Sequence, residues 1–171
     1  MGEHMAYNEQ KFIEYFYALK TMDVYHKELF GNNKDFEVPQ LFSQEIVKHF
    51  LDLQDYTGEG KKFDAEKDGR YYEIKATSSE SGTTTLNFAS KPDVLVWIKF
   101  DFENSEFEIK QFEGFDLLGK MNDFYTQEAL DRRHEGAKNL FESKSRETVI
   151  LNNVNWKIIK KYKVQTVITT V

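Results

Sequence analysis

Two acids and a lysine in the stretch from Phe63 to Thr77, FDAEKDGRYYEIKAT, are spaced so that they can share one divalent cation. Asp68-Gly69 at its centre is a strong signal for a two-residue type I′ turn, because both central residues of that turn need positive φ. Strands folded about this turn pair residues whose numbers sum to a constant. Lys67 then faces Arg70, Glu66 faces Tyr71, Ala65 faces Tyr72 and Asp64 faces Glu73. Like charges directly opposite destabilise a sheet, and a cation between them offsets that cost. In this register the Cβ atoms of Asp64 and Glu73 lie ~5 Å apart. They offer two hard oxygen ligands of the kind Mg²⁺ takes alongside water and substrate phosphate. Lys75, two residues beyond Glu73, shares its face of the strand. It can orient or deprotonate a water and offset charge on a phosphorus-centred transition state. The three residues are a minimal set for hydrolysing a phosphodiester.

Asp64 followed by Glu73-Ile74-Lys75 resembles the PD-(D/E)XK nuclease motif, and the short chain resembles a small type II restriction endonuclease. The likeness runs from Gln40 to Phe112, with Phe63 standing where the motif has proline, and the last third of the chain matches loosely. The resemblance implies an α/β (α+β) restriction-endonuclease-like fold, a central mixed β-sheet flanked by helices, with the catalytic residues on one edge. It implies that Asp64 and Glu73 bind Mg²⁺ and that Lys75 positions the nucleophile. Some members of the family add an acid from the preceding helix, and Glu45 is the candidate here. In-line attack by a metal-activated water, leaving 5′-phosphate and 3′-hydroxyl ends, is also what the resemblance implies. A domain of this size carries one active site. Cutting both strands of double-stranded DNA at a short palindrome then calls for a homodimer whose two-fold axis matches the target.

Glu-x-Lys alone is a weak signal, since it recurs at Glu9, Glu59, Glu108 and Glu142. The Glu108 copy competes with the first. A two-residue turn at Asn104-Ser105 would set Asp101 opposite Glu108 with Lys110 beside them, or the same residues form a solvated hairpin face balanced by Lys99 and Lys110. The Asp68-Gly69 turn signal is the stronger, and a Gly/Ser/Thr loop follows that hairpin. Two other functions stay open: a structure-specific repair or recombination nuclease of the same superfamily, and a non-catalytic binding module whose acidic hairpin is only solvated.

Stepping outward from the hairpin, the surrounding elements follow from periodicity. Asn8 to Phe30 has apolar residues at helical spacing (Phe12, Tyr15, Phe16, Leu19), with Gly31 as the stop. After Pro39, Ser43 reads as the N-cap of a second helix that buries Ile46, Val47, Phe50 and Leu51. Asp93 to Phe102, DVLVWIKFDF, begins as a continuous apolar run and reads as the central strand, followed by an alternating strand from Glu106 to Phe112. Short helical pieces are expected over 115–123 and 126–133, a loop over 132–139, a strand over 148–151, a helix over 153–162 and a final strand over 164–171. The result is one nuclease domain over 1–171, with amino-terminal helices in 8–54, the catalytic hairpin and sheet in 61–113 and a basic carboxy-terminal region in 131–171.

The chain of 171 residues has no cysteine, two prolines and 26 aromatic residues, so it can bury a sizeable core without disulfides. No run is long and apolar enough to span a bilayer, and a polar amino terminus gives a cytoplasmic expectation. Net charge is −6, yet residues 131–171 hold nine Lys and Arg against four Asp and Glu. Such asymmetry fits a surface that faces a polyanion. Two segments are candidates for DNA contact. One is the hydroxyl-rich loop after the catalytic strand, with Ser78, Ser79, Thr83, Thr84 and Asn87. The other is the basic run Arg132, Arg133, His134, Lys138 and Asn139.

Overall fold

Helix α1 (Glu9–Phe30) starts where the Asn8 side chain accepts a hydrogen bond from the Lys11 amide and stops where Gly31 takes φ +87°. Its buried residues Phe12, Ile13, Phe16 and Leu19 form one stripe, as the periodicity predicts. The computed structural model describes residues 8–32, 36–60, 62–87, 90, 92–113 and 146–165. Helix α2 (Gln40–Leu51) begins directly after Pro39, one turn earlier than the expected cap at Ser43. Ser43 is buried inside the helix and its hydroxyl donates to the carbonyls of Pro39 and Gln40. Proline explains the earlier start, because its fixed φ and missing N–H suit the edge of a helix, where that donor has no intrahelical partner.

Eight strands follow: β1 (Gln54–Asp55), β2 (Ala65–Lys67), β3 (Arg70–Thr77), β4 (Thr83–Asn87), β5 (Val94–Asp101), β6 (Glu106–Glu113), β7 (Arg146–Ile150) and β8 (Lys157–Lys163). Six form a mixed sheet in the order β1-β2-β3-β5-β6-β8, and β4 pairs with β7 in a separate antiparallel ribbon. Among the described residues the protein is therefore a mixed α/β fold with two α-helices and a six-stranded mixed sheet. β3 and β5 run parallel, and every other neighbouring pair in the sheet is antiparallel. β5 is central, as its apolar run predicts, with Val94 to Ile98 all buried.

One face of the sheet carries Tyr72, Ile74, Val94, Val96, Ile98, Phe100, Phe107 and Ile109 into the main core, where they join the buried residues of α1 and α2. Aromatic rings fill much of that layer. Phe12 meets Phe107 edge-on at 5.9 Å, and Phe16 lies 5.3 Å from Phe102. Each such ring contributes roughly 1.5–3 kcal/mol through burial. The opposite face carries Glu73, Lys75, Thr77, Leu95, Trp97 and Lys99. There Leu86, Leu95, Trp97, Val149 and Leu151 are buried apart from the main core. The Thr77 hydroxyl, expected on a polar face, is buried and accepts from Trp97 Nε1 at 2.9 Å.

Several expectations give way. The Ser78 to Thr85 stretch is a loop only to Gly82, after which Thr83–Asn87 pairs with Arg146–Ile150. The helix expected over 153–162 is instead strand β8, which pairs with β6. The β-branched Ile158 and Ile159 favour a strand, and Glu106 and Glu108 stand opposite Lys163 and Lys161. The two-residue turn at Asn104-Ser105 is a four-residue connection, so Asp101 faces Glu106 and Lys99 faces Glu108. Asp101 closes that connection by accepting from both the amide and the side chain of Asn104. The expected helical pieces, the loop over 132–139 and nearly all of the final strand lie outside the described residues. Among the described residues no helix is long and apolar enough to cross a membrane.

Two glycines with positive φ separate backbone strain from packing. Gly69 (φ +74°) has open space where a Cβ would stand, whereas at Gly82 (φ +65°) a Cβ would come within 2.5 Å of the Trp97 ring. Gly69→Ala is expected to cost about 1 kcal/mol, and Gly82→Ala about 2–4 kcal/mol, because overpacking adds to the strain. Urea denaturation midpoints check the ratio; equal losses would mean that the ribbon does not rest on Trp97.

Candidate active site

The Asp68-Gly69 turn forms as its sequence dictates, with φ +51° and +74°, and Ala65↔Tyr72, Glu66↔Tyr71 and Lys67↔Arg70 pair in the expected register. The ladder breaks one residue later. Asp64 does not take its place opposite Glu73; its amide bonds instead to the Tyr72 carbonyl at 3.0 Å, an oxygen that regular pairing gives to Ala65. β2 is three residues long and β3 eight, so among the described residues the far half of β3 has no strand on this side. The Asp64 carboxylate fills the gap, with Oδ2 accepting from the Ile74 amide at 2.7 Å. From α2, Gln44 Nε2 donates to Asp64 Oδ1 at 2.6 Å. The acid is held at both oxygens.

Glu73 follows on β3 with its carboxylate 2.8 Å from Lys75 Nζ, and both side chains are about four-fifths buried. Burial, followed by the nearby Glu73 charge, pushes the Asp64 carboxyl from its ordinary 3.8 up to about 6. The Ile74 amide, Lys75 and Lys48 pull the other way and do not cancel the rise. The fold thus brings together the three residues singled out by the motif, with the two acids electrostatically coupled.

Glu45 pairs with Lys48, one turn on along α2, and it is the neighbouring Gln44 that bonds Asp64. Lys48 is itself buried and also bonds Asp55 Oδ1 at 2.6 Å. Burial lowers its pKa, but the bonds to Asp55 and Glu45 outweigh that and raise it above the ordinary lysine value. Gln44 and Lys48 are the site neighbours that sequence reasoning missed. A Gln beside a candidate Glu on one helix, and a Lys one turn further on, were the available signals.

The competing set around Glu108 has a different character. Glu108 lies 3.2 Å from Lys110 and 3.3 Å from Lys161. Partial burial pushes the Glu108 and Asp101 carboxyls up, but the two lysines in one case, and Asn104 with Lys99 and Lys161 in the other, hold both below the usual range. These acids are already compensated; Asp64 is not.

Of the residues proposed to touch DNA, the Ser78 hydroxyl donates to the Phe36 carbonyl and Ser79 Oγ accepts from the Gly82 amide, so both shape the loop. Thr83 and Thr84 stand on β4 opposite Ile150 and Val149, and Asn87 ends that strand opposite Arg146. Arg132, Arg133, His134, Lys138 and Asn139 lie outside the described residues.

Among the described residues no three His, Cys, Asp or Glu side chains cluster in a way that could hold a metal ion by themselves. Two carboxylates suit Mg²⁺, which keeps several waters and shares substrate oxygens. Each Asp64 oxygen retains a lone pair beyond its one hydrogen bond, and a second positive charge beside Asp64 and Glu73 would relieve their repulsion. The donor set fits that ion. In comparisons with known proteins, the chain matches no family model, no curated protein and no solved structure.

The raised Asp64 pKa makes a stability prediction. The unfolded carboxyl ionises near 3.8 and the folded one near 6, so ionisation opposes folding. That penalty is absent below about pH 4, grows from pH 4 to 6, and reaches about 3 kcal/mol above that range. Asp64→Asn, whose amide oxygen can still accept from Ile74, is expected to be about 2–3 kcal/mol more stable than the unsubstituted protein at pH 8 without metal. The advantage should vanish at pH 4. Melting curves at both pH values test this, and an advantage that does not change with pH would remove the buried-charge account.

Proposed function

We propose that the protein is a Mg²⁺-dependent nuclease of the type II restriction class, acting on double-stranded DNA as a homodimer. The observation that carries the reading is the coupled pair Asp64 and Glu73 with Lys75 Nζ 2.8 Å from the second acid. A structural role needs neither the uncompensated buried carboxylate nor a second acid beside it. When bound, Mg²⁺ supplies Lewis-acid polarisation of the phosphodiester and lowers the pKa of water.

The chain's own residues do the rest. The Ile74 amide and Gln44 fix the Asp64 carboxylate, which would hold the cation together with Glu73 through the lone pairs those bonds leave free. Lys75 stands beside Glu73, where its ammonium can orient the attacking water, whose proton passes to solvent, and face the charge that builds on the non-bridging oxygens. The water oxygen bonds to phosphorus as the P–O3′ bond breaks, and the leaving oxygen takes up a proton from solvent. A mixed sheet with helices against one face and the acids beside the open edge of β3 agrees with the restriction-endonuclease-like architecture that the motif implies.

A second reading, a structure-specific nuclease of the same superfamily, is favoured by one observation: the cleft that Tyr71 shares with the Asp68-Gly69 turn is lined by tyrosines and acids, with Lys67 among them, rather than by a row of cations.

The test is cleavage of a mixed-sequence plasmid in Mg²⁺. Discrete fragments are expected from the unsubstituted protein and from Asp101→Asn. Asp64→Asn, Glu73→Gln and Lys75→Ala should each be at least about a hundredfold slower, the scale of losing a general acid–base group. EDTA should abolish cutting. Nicking confined to flaps or junctions would move the second reading ahead. No cutting in Mg²⁺ or Mn²⁺ by any of the proteins would defeat both.

A further inference from the structure

Tyr56, Phe63 and Tyr71 form an aromatic cluster outside the main core. The Phe63 and Tyr71 rings stack with centroids 4.7 Å apart and planes 2° apart. Tyr56 stands edge-on to both, at 5.2 Å and 5.6 Å. The cluster is built in place. A Cβ on Gly58 would overlap the Tyr56 ring, so that glycine lets the loop close over it. Lys62 Nζ sits 5.2 Å from the Phe63 ring centroid. Yet Tyr71 remains 37% exposed, and Tyr56 and Tyr71 both line a cleft of about 530 Å³ between the loop after α2 and the Asp68-Gly69 turn.

Three features identify what fits there. Tyr71 is two residues before Glu73 on β3, so their side chains share a face about 7 Å apart along the strand. That is within reach of one nucleotide whose phosphate is held at the acids. Phe63, which stands where the motif has proline, immediately precedes Asp64 and backs the Tyr71 ring. The remaining walls, including Gln54 and Thr57, offer hydrogen-bond groups, and Asp52, Glu66 and Asp68 add negative charge against one cation, Lys67, whose Nζ lies 3.4 Å from Asp52. Three carboxylates to one lysine disfavour a phosphate in the cleft. Such walls suit a flat, neutral group with N–H donors, and carboxylates accept well from exocyclic base amines.

We propose that this cleft is a subsite for one unpaired nucleobase, which stacks on Tyr71 next to the phosphodiester held at Asp64 and Glu73. The inference rests on the nuclease reading above and adds to it a substrate feature: the nucleotide flanking the cut is out of the helical stack. Every base has a π face, so stacking selects unpaired nucleotides with little regard to sequence.

The test is fluorescence anisotropy with labelled oligonucleotides and Ca²⁺ in place of Mg²⁺, using a single strand, a duplex with one bulged nucleotide and the fully paired duplex. The unsubstituted protein is expected to bind the first two about tenfold more tightly than the third, the scale of one stacked base. Tyr71→Leu, which keeps apolar bulk but no ring, should lose that preference, and Tyr71→Trp should retain it. If 2-aminopurine in the paired duplex brightens on binding, the base is extruded by the protein and the preference for unpaired probes will be smaller; Tyr71→Leu should abolish that brightening. Binding and brightening of Tyr71→Leu equal to those of the unsubstituted protein, with plasmid cleavage intact, would overturn the subsite and leave the nuclease standing. No cleavage and no binding of any probe by the unsubstituted protein would overturn both. Melting temperatures of the two variants within a few degrees of the unsubstituted protein exclude misfolding as the cause of a loss.

Discussion

The bond from the Ile74 amide to the Asp64 carboxylate, 2.7 Å long, organises this end of the molecule. β2 stops three residues from the turn, and β3 goes on with no further neighbour on that side among the described residues. A buried amide left there without an acceptor would cost about 1–3 kcal/mol. The carboxylate that satisfies it comes from the residue just before β2, where the ladder breaks. Satisfying the backbone in this way places an anion at the edge of the sheet, one residue from Glu73. Gln44 then binds the other Asp64 oxygen, which ties α2 to the same point. Strand length, helix position and the pairing of the acids meet in this one interaction.

Electrostatics separates this acid pair from the others on the sheet. Lys48 has Glu45 and Asp55, Lys75 has Glu73, and Glu108 has two lysines. Asp64 has only hydrogen-bond donors and the more distant fields of Lys75 and Lys48. Its neutral partners hold it in place without neutralising it. Geometric fixation combined with uncompensated charge sets Asp64 apart from the solvated or salt-bridged carboxylates of the sheet. Glu-x-Lys occurs twice on this face of the sheet, at Glu73 and Glu108, so sequence spacing could not make the distinction; the partners of the nearby aspartate do.

What the sequence reveals depends on how local the signal is. The Asp-Gly turn and its first three pairs are legible because turn type fixes register, and β5 is legible because five consecutive buried residues can only be central. The Asp64–Ile74 bond is not, since a side chain bonding to a backbone amide across a broken ladder follows no period. Gln44 and Glu45 differ by 100° around α2, and that phase is set by how Ile46 and Val47 pack, beyond the reach of a cap signal at Ser43. β8 reads as a helix until its partner is known: Lys161 and Lys163 gain their meaning from Glu108 and Glu106, some fifty residues earlier. β4 was hidden for the same reason, its partner β7 lying about sixty residues on.

One face of β3 orders the site from solvent inward. Tyr71 is partly exposed, Glu73 and Lys75 are mostly covered, and Thr77 is buried under its bond to Trp97. Trp97 stands beside Lys75 in the parallel register and beside Lys110 in the antiparallel one, with Lys110 Nζ 4.6 Å from its ring centroid. The indole thus forms an apolar wall next to Lys75. A wall of that kind keeps water away from the lysine, which strengthens its interaction with Glu73. Alternation along a single strand therefore supplies a ring, an acid, a lysine and a closing wall in sequence. The second acid is added from outside β3 by Asp64, where the Ile74 amide takes its carboxylate as acceptor.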